Sequence, residues 1–336
     1  MINVSDIDVK LISYDQKLGN SRLDFNISGD SINNVIINTL RRTILSDIPI
    51  YALSDTKIYK NTSTFTEDDL TNRLIMLPIL GIENNIDFIE SPIIPVENTQ
   101  SIPSHDFEDI DINNDMEFKL STFKEFTIYL NYKNKKSHEL ISITTDHLLF
   151  YYDQKKIESP YHTPIQLLKL NPDEEIILSA KSELGSDDLN DHPKFCATAA
   201  TAFKHITDNN YDFFLESRGQ ISEKRILTVA IINIKRRMIK LLDLMKENNS
   251  LIELSEGILI VDNEDETLGN LIAYGLQLHK DISSASCNRP QPLMKSIKFD
   301  FKLKKNNIIN ITNDVILYFN ELFEKISKEI NKLKLN

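Results

Sequence analysis

A chain of 336 residues is long enough for two or three domains with cores of their own. Its formal net charge of −12 argues against binding nucleic acid by neutralising phosphates, and its two cysteines, Cys196 and Cys287, are too few for a four-thiolate zinc site or a disulfide framework. No basic stretch followed by an apolar core stands at the start and no apolar run is long enough to cross a bilayer, so no membrane partner and an intracellular, soluble protein are expected.

Asp8 to Tyr14 and Arg22 to Ser28 read as two strands, with Gly19-Asn20 as the turn of a hairpin. Asp30 or Ser31 can cap the helix that follows, in which Ile32, Val35, Ile36, Leu40 and Ile44 recur at helical spacing to about Ser46, ahead of Pro49. The same pattern returns 236 positions later, where Thr267 matches Ser31, Leu268 matches Ile32, Asn270 matches Asn34 and Ile272 matches Ile36. Two copies of one helix suggest two copies of one module. Tyr51 to Tyr59 is β-branched and aromatic enough for a third strand, and Leu70 to Ile79 is a short helical stretch closed by Pro78, on which Arg73 reads as a solvated side chain.

From about Glu83 to Thr163 the texture changes to prolines, a carboxylate-rich run and the alternating Phe126, Ile128, Leu130 and Tyr132. This predicts a mostly β insertion at 83–165, with a loose acidic loop. The run from His105 to Glu117 carries six carboxylates and no Lys or Arg, and Asp109, Asp111 and Asp115 invite a two-metal reading. Such oxygens need a rigid, dry shell; here a solvated charge run is the better reading.

After the turn Asn171-Pro172-Asp173, Glu175 to Lys181 and Tyr211 to Glu216 are predicted strands, and a helix runs from about Ser222 to Glu247. Its apolar stripe is wide enough for more than one neighbour, and Lys235-Arg236-Arg237 reads as a solvated basic face. The last stretch repeats the order strand, helix, strand, helix: Ile258 to Val261, Glu266 to Lys280, Ile297 to Leu303 in strict alternation, and a final helix capped near Thr312-Asn313-Asp314. No glycine pair has the spacing of a phosphate-binding loop, no helix carries His-Glu-x-x-His, and no serine stands in a Gly-x-Ser-x-Gly elbow, so no catalytic residue, cofactor or metal is assigned. His192 and His205 are read as structural or exposed, and His138 or His147 is where a histidine and carboxylate zinc site would have to stand.

Asn38-Thr39-Leu40-Arg41-Arg42-Thr43-Ile44-Leu45-Ser46-Asp47-Ile48-Pro49, followed by Asn72-Arg73-Leu74 and Leu77-Pro78, resembles the assembly motifs of the alpha-like subunits of multisubunit RNA polymerases. The resemblance continues over Leu167-Leu168-Lys169-Leu170, His192-Pro193-Lys194-Phe195 and Phe214-Leu215-Glu216-Ser217-Arg218-Gly219. The stretch from Asn263 to Leu271, with Pro290-Gln291-Pro292, is similar to the small alpha-like subunit, the eleventh of the eukaryotic nuclear enzyme; the larger would be the third. The resemblance implies that two subunits, separate elsewhere, are fused in one polypeptide, as in large cytoplasmic DNA viruses. It departs from the nuclear pattern in two places: the insertion lacks the cysteines of a zinc site, and the second copy lacks the arginine pair, with Tyr274-Gly275 in that region.

The implied fold is α+β. Residues 1–82 and 166–247 would form the first dimerisation module and 248–336 the second, joined as an intramolecular pseudo-heterodimer through Ile36, Leu40, Ile44, Leu268, Leu271, Ile272, Phe319, Leu322 and Phe323. The implied function is a non-catalytic assembly platform of a DNA-directed RNA polymerase, joining the largest and second-largest subunits, with small zinc-binding subunits as further partners and no direct specific DNA contact. Asn38, Arg41, Arg42, Asp47, Arg73 and Pro78 are the expected partner-binding residues, the alternative being that the arginine pair covers its own helix and pairs with Asp47 or Asp30. The host cytoplasm, in a viral factory, and the virion are the implied locations. The competing expectation is a metal-dependent nucleic-acid enzyme using Asp109, Asp111 and Asp115.

Overall fold

Strand alternation and helical stripes sort the chain into two hydrophobic cores. The computed structural model describes residues 3–17, 20–80, 125–187, 192–247, 256–262, 264–291, 296–305 and 307–335. The chain begins with β1 (Asp8–Lys17), β2 (Asn20–Ser28), α1 (Asn34–Ser46), β3 (Ile50–Asn61) and α2 (Glu67–Ile75). Next come β4 (Phe126–Lys133), β5 (Ile141–Thr144), β6 (Leu149–Tyr152), β7 (Lys155–Ile157), β8 (Gln166–Leu170), β9 (Glu175–Gly185), β10 (Thr198–Thr207), β11 (Asn210–Ser217) and α3 (Glu223–Glu247). The rest is β12 (Glu256–Asp262), α4 (Glu266–Leu278), β13 (Ile282–Asn288), β14 (Ser296–Leu303) and α5 (Ile308–Lys332). The described elements are mixed α and β, and every strand pair among them is antiparallel.

The larger core lies between a sheet of order β1-β2-β11-β10, a sheet of order β12-β14-β13, and the helices α1, α3, α4 and α5. Phe25 and Phe213 face each other across the first sheet with ring centroids 5.2 Å apart. All nine residues expected at the pairing of two modules, from Ile36 to Phe323, are buried in this one core. α1 packs on α4, and α3 packs on α5. The two ends of the described chain cross over: Lys325 of α5 donates to the carbonyl of Val4, and Lys224 of α3 donates to the carbonyls of Asn331 and Leu333.

The second core is built by a sheet of order β3-β9-β4-β6-β7, the pair β5-β8 and α2. Strands are found where the β insertion was expected, but they are not walled off at 83 and 165. β4 pairs with β9 and β9 with β3, so Leu53, Leu70, Leu74 and Leu178 share a core with Phe126, Ile128 and Phe150. The physical reason is that Phe126, Ile128 and Leu130 present one apolar face of the sheet, and α2 and β8, both outside 83–165, supply Leu70, Leu74, Leu168 and Leu170 to the same core. Asp109, Asp111, Asp115 and the acidic run around them lie outside the described residues.

Several local readings shift. α1 is capped by Asn33, whose side chain accepts from the Ile36 N–H, because Ser31 is already engaged with Ser5 through paired 2.9 Å hydrogen bonds. Gly29 precedes it at φ +151°, and a Cβ there would stand 2.5 Å from the Asp6 carbonyl oxygen. α5 starts at Ile308 with Asn307 as its cap, earlier than Thr312, since Ile308 and Ile311 extend its apolar face upstream. β10 and β13 escape the sequence reading: in Ile282–Asn288 only Ile282 and Ala285 are buried, and four small polar residues hide the alternation.

The internal repeat also changes register. α1 and α4 are both 13 residues long with caps at Asn33 and Asp265, a spacing of 232 rather than the 236 of the sequence motif, about one helical turn less. At that spacing Ile36, Ile37, Thr39, Leu40, Thr43 and Ile44, the buried residues of α1, fall on Leu268, Gly269, Leu271, Ile272, Gly275 and Leu276, all buried in α4. Gly275 faces α5 so closely that a Cβ would stand 2.3 Å from Val315 Cγ1 and 2.6 Å from the Phe319 ring. Both neighbours are fully buried and cannot swing away. Gly275→Ala is therefore expected to destabilise the protein by about 1–3 kcal/mol through overpacking, although alanine alone would favour the helix by about 1 kcal/mol. Urea denaturation of the two proteins reads the sign directly.

Candidate assembly interface

The motifs that are scattered along the sequence meet in space where the two cores join. Arg218, in the turn after β11, donates to the carbonyls of Cys196 at 3.2 Å, Pro193 at 3.5 Å and Met76 at 3.2 Å. Gly219 follows at φ +81°, and Gln220 donates to the Tyr51 carbonyl at 2.9 Å. Lys194 reaches Ser54 at 2.9 Å, and Phe195 is buried in the larger core. One guanidinium thus ties the Leu77-Pro78 stretch to the Pro193-Lys194-Phe195 turn.

Around this junction Arg73 and Pro78 both have structural roles. Arg73 is not merely solvated: its Nη1 donates to the Leu167 carbonyl at 2.7 Å and its guanidinium lies 4.7 Å from the Phe65 ring centroid. The Pro78 carbonyl accepts from the Tyr161 hydroxyl at 3.0 Å. A groove of about 590 Å³ runs past Asn72, Arg73, Met76, Pro78 and Ile165, with Met76 and Ile165 exposed on it.

The expected arginine pair divides. Arg41 Nε donates to Asn38 Oδ1 at 3.0 Å, and among the described residues no carboxylate pairs with it. Its burial, and next the charge of Arg42, lower its pKa. Arg42 turns the other way: its Nε donates to Thr267 Oγ1 at 2.7 Å and its Nη2 lies 3.3 Å from Asp265 Oδ2. Neither Asp47 nor Asp30 is its partner.

Asp47 belongs to a different group. Arg237 of α3, whose side chain is 19% exposed, donates to Asp47 at 2.8 Å, to Glu264 at 2.7 Å and to Asp265 at 2.7 Å. Burial works against the Arg237 charge, but the three carboxylates outweigh it and raise its pKa well above the ordinary value. Burial would raise Asp265 as well; Arg237 and hydrogen bonding from Thr267 reverse this and hold it at about 2. Glu264 goes the other way, raised by burial despite Arg237. Asp265 has a second task, because its carboxylate caps α4 by accepting from the N–H groups of Thr267 and Leu268. The solvated reading of Arg237 is thus overturned. Its signal was in the sequence: positions 230, 234, 237 and 241 share one helical face, and the other three are buried.

Among the described residues no group of three or more His, Cys, Asp or Glu side chains is placed to hold a metal ion. His147 Nδ1 and His192 Nδ1 accept from the backbone N–H groups of Thr144 and Lys194, closing local turns. Cys287, packed beside Gly269, is pushed up to about 12 by burial and nearby carboxylates, unsuited to act as a nucleophile.

Comparison with known proteins finds relatives among RNA polymerase subunits. The chain is 27% identical over 343 residues to the putative DNA directed RNA polymerase subunit R470 of Acanthamoeba polyphaga mimivirus, covering 97% of this chain and 94% of that protein. It is 25% identical over 177 residues to DNA-directed RNA polymerase subunit Rpo3 of Methanosphaera stadtmanae, covering 52% of this chain and 55% of the archaeal subunit. Rpo3 of Methanocaldococcus jannaschii matches at 22% over 200 residues, 60% of this chain and 79% of that protein. No protein-family profile matches the chain. The resemblance to alpha-like polymerase subunits that rests on the motifs is borne out by these relatives.

Removing Arg237 leaves Asp47, Glu264 and Asp265 facing one another without their cation, so Arg237→Ala is expected to cost about 3–5 kcal/mol, against about 0–1 kcal/mol for the half-exposed Arg42→Ala. Thermal melts of both variants separate the two. Acid reads the same cluster. Asp265, with a folded pKa of about 2 against an ordinary 3.8, gives stability that is complete above the unfolded value and is lost as pH falls toward 2. Glu264 has the opposite sign, losing stability as pH rises through its raised pKa. Asp265→Asn, which keeps a capping oxygen, should flatten the acid limb of stability measured by urea titration from pH 2 to 6.

Proposed function

We propose that this chain is the alpha-like assembly subunit of a DNA-directed RNA polymerase: a non-catalytic platform that joins the two large catalytic subunits. In it the larger and smaller alpha-like subunits are one polypeptide. The observation that carries the reading is the single core in which α1 meets α4 and α3 meets α5, each pair matched in length and α1 and α4 matched in buried register. A viral polymerase subunit that aligns with 97% of the chain supports it. Helices with faces this apolar bury against each other what neither unit could cover alone.

On this reading Arg41, with Asn38 beside it, presents the cation that grips a carboxylate or carbonyl of the second-largest subunit, while Arg42 and Asp47 hold the platform together. Arg73 and Pro78 shape the groove at the junction of the cores, a second place where a polymerase subunit docks. The largest subunit and small zinc-binding subunits complete the set of partners. The host cytoplasm and the virion are the locations that this reading implies. No helix among the described residues is long and apolar enough to cross a membrane. The relatives are polymerase subunits and lend no support to the metal-dependent enzyme, whose three aspartates lie outside the described residues.

Arg41→Ala should leave the fold intact, since alanine raises helix propensity and the one hydrogen bond to Asn38 is worth about 0.5–1.5 kcal/mol. Recovery of the second-largest subunit in a pull-down should fall at least about tenfold, as a partner group left unpaired at an interface costs about 2–5 kcal/mol. Equal recovery with an unchanged melt would return Arg41 to the platform's own surface.

A further inference from the structure

We infer that the charged residues between the two units make unlike units pair and like units refuse each other, so that neither half accepts a second copy of itself. The inference rests on the two-unit reading above and adds the residues that enforce it. α3 and α5 are both 25 residues long, and at a spacing of 85 their buried positions coincide: Ile226 with Ile311, Ala230 with Val315, Ile234 with Phe319 and Met238 with Phe323. In that register, and with α1 and α4 at a spacing of 232, Arg237 corresponds to Leu322, Arg42 to Tyr274, Glu264 to Ile32, and Asp265 to Asn33.

The contacts then come in pairs related by the repeat. Arg42 reaches across to Asp265 at the cap of α4; the corresponding pair is Tyr274 and Asn33, the cap of α1. The first contact is ionic and the second neutral. Arg237 sits against Glu264 and Asp265, whereas its counterpart Leu322 and the counterpart of Glu264, Ile32, are both fully buried in the apolar core. Across the interface the cations stand on the first unit and the carboxylates on the second.

Like pairing undoes this. Two first units would place Arg42 and Arg237 opposite Asn33 and Ile32, twice over, so that Arg42 loses its carboxylate and Arg237 keeps one of its three, Asp47 of its own unit. Two second units would place Glu264 and Asp265 opposite Leu322 and Tyr274, with buried carboxylates and no cation. Unpaired charge in such a setting is costly from either side. The matched buried positions of the two long helices, by contrast, are apolar in both units and carry no difference of charge.

The test uses the full-length chain with a protease site built between residues 247 and 256. It is cut after folding, unfolded in urea, and refolded under conditions in which the uncut chain recovers; native mass spectrometry then counts mixed and self-paired species. The cut wild type should return the mixed species. A cut variant carrying Arg42→Gln, Arg237→Gln, Glu264→Gln and Asp265→Asn should raise the ratio of self-paired to mixed species by about tenfold or more. Arg42→Gln alone, at a half-exposed position that does not threaten folding, should move the ratio the same way by a smaller factor. The same ratio in all three proteins would overturn the charge-coded pairing while leaving the two-unit platform standing. Fragments of the cut wild type that fail to associate at all would overturn the platform reading itself, and the pairing rule with it.

Discussion

Arg237 and the three carboxylates around it are the interaction on which the arrangement depends. Stripping water from a guanidinium is expensive, and it is tolerable here because Asp47, Glu264 and Asp265 all lie within 2.8 Å of its nitrogens. Those carboxylates come from two places: the end of α1, and the start of α4, more than two hundred residues later. The apolar surfaces supply most of the attraction between these helices, but that attraction is not directional. The ionic cluster is what gives them one register, since a turn of slippage would strand a charge.

That division explains what the sequence made legible. Features carried by periodicity were visible: the first hairpin, the strict alternation from Ile297 to Leu303, and the two long helices whose apolar stripes exceed what one neighbour covers. Features carried by contact were not. Asn33 rather than Ser31 caps α1 only because Ser5 takes Ser31 away, a partner 26 residues distant. The offset of the repeat was misjudged by about one turn for the same reason, because the cap residues and not the matching letters set where each helix begins.

The candidate site divides along the same line. The motif stretches were legible as a group, and two that lie far apart in the chain, the turn at 193–196 and the segment beside Leu77-Pro78, meet at Arg218. Which member of the Arg41 and Arg42 pair faces outward was not legible, since both lie on one helix and only the second has Asp265 and Thr267 within reach. Arg237 was visible as a charge on an apolar face, yet its run with Lys235 and Arg236 made a solvated face the simpler reading. The second core escaped because β3 and β9, each bordering the insertion, lend it their apolar faces.

The crossed ends of the chain have a consequence for local opening. The backbone near Val4 is held by a lysine of α5, and the backbone near Leu333 by a lysine of α3, so the described start is anchored on the last helix and the described end on a helix far earlier in the chain. Fraying, ordinarily the most local and independent of motions, becomes here a property of the pair. If α5 lifts away from the larger core, both ends are released together, and amide exchange at residues 3–7 and at 330–333 rises in step. Labelling either end therefore reports on the docking of α5 rather than on the end itself.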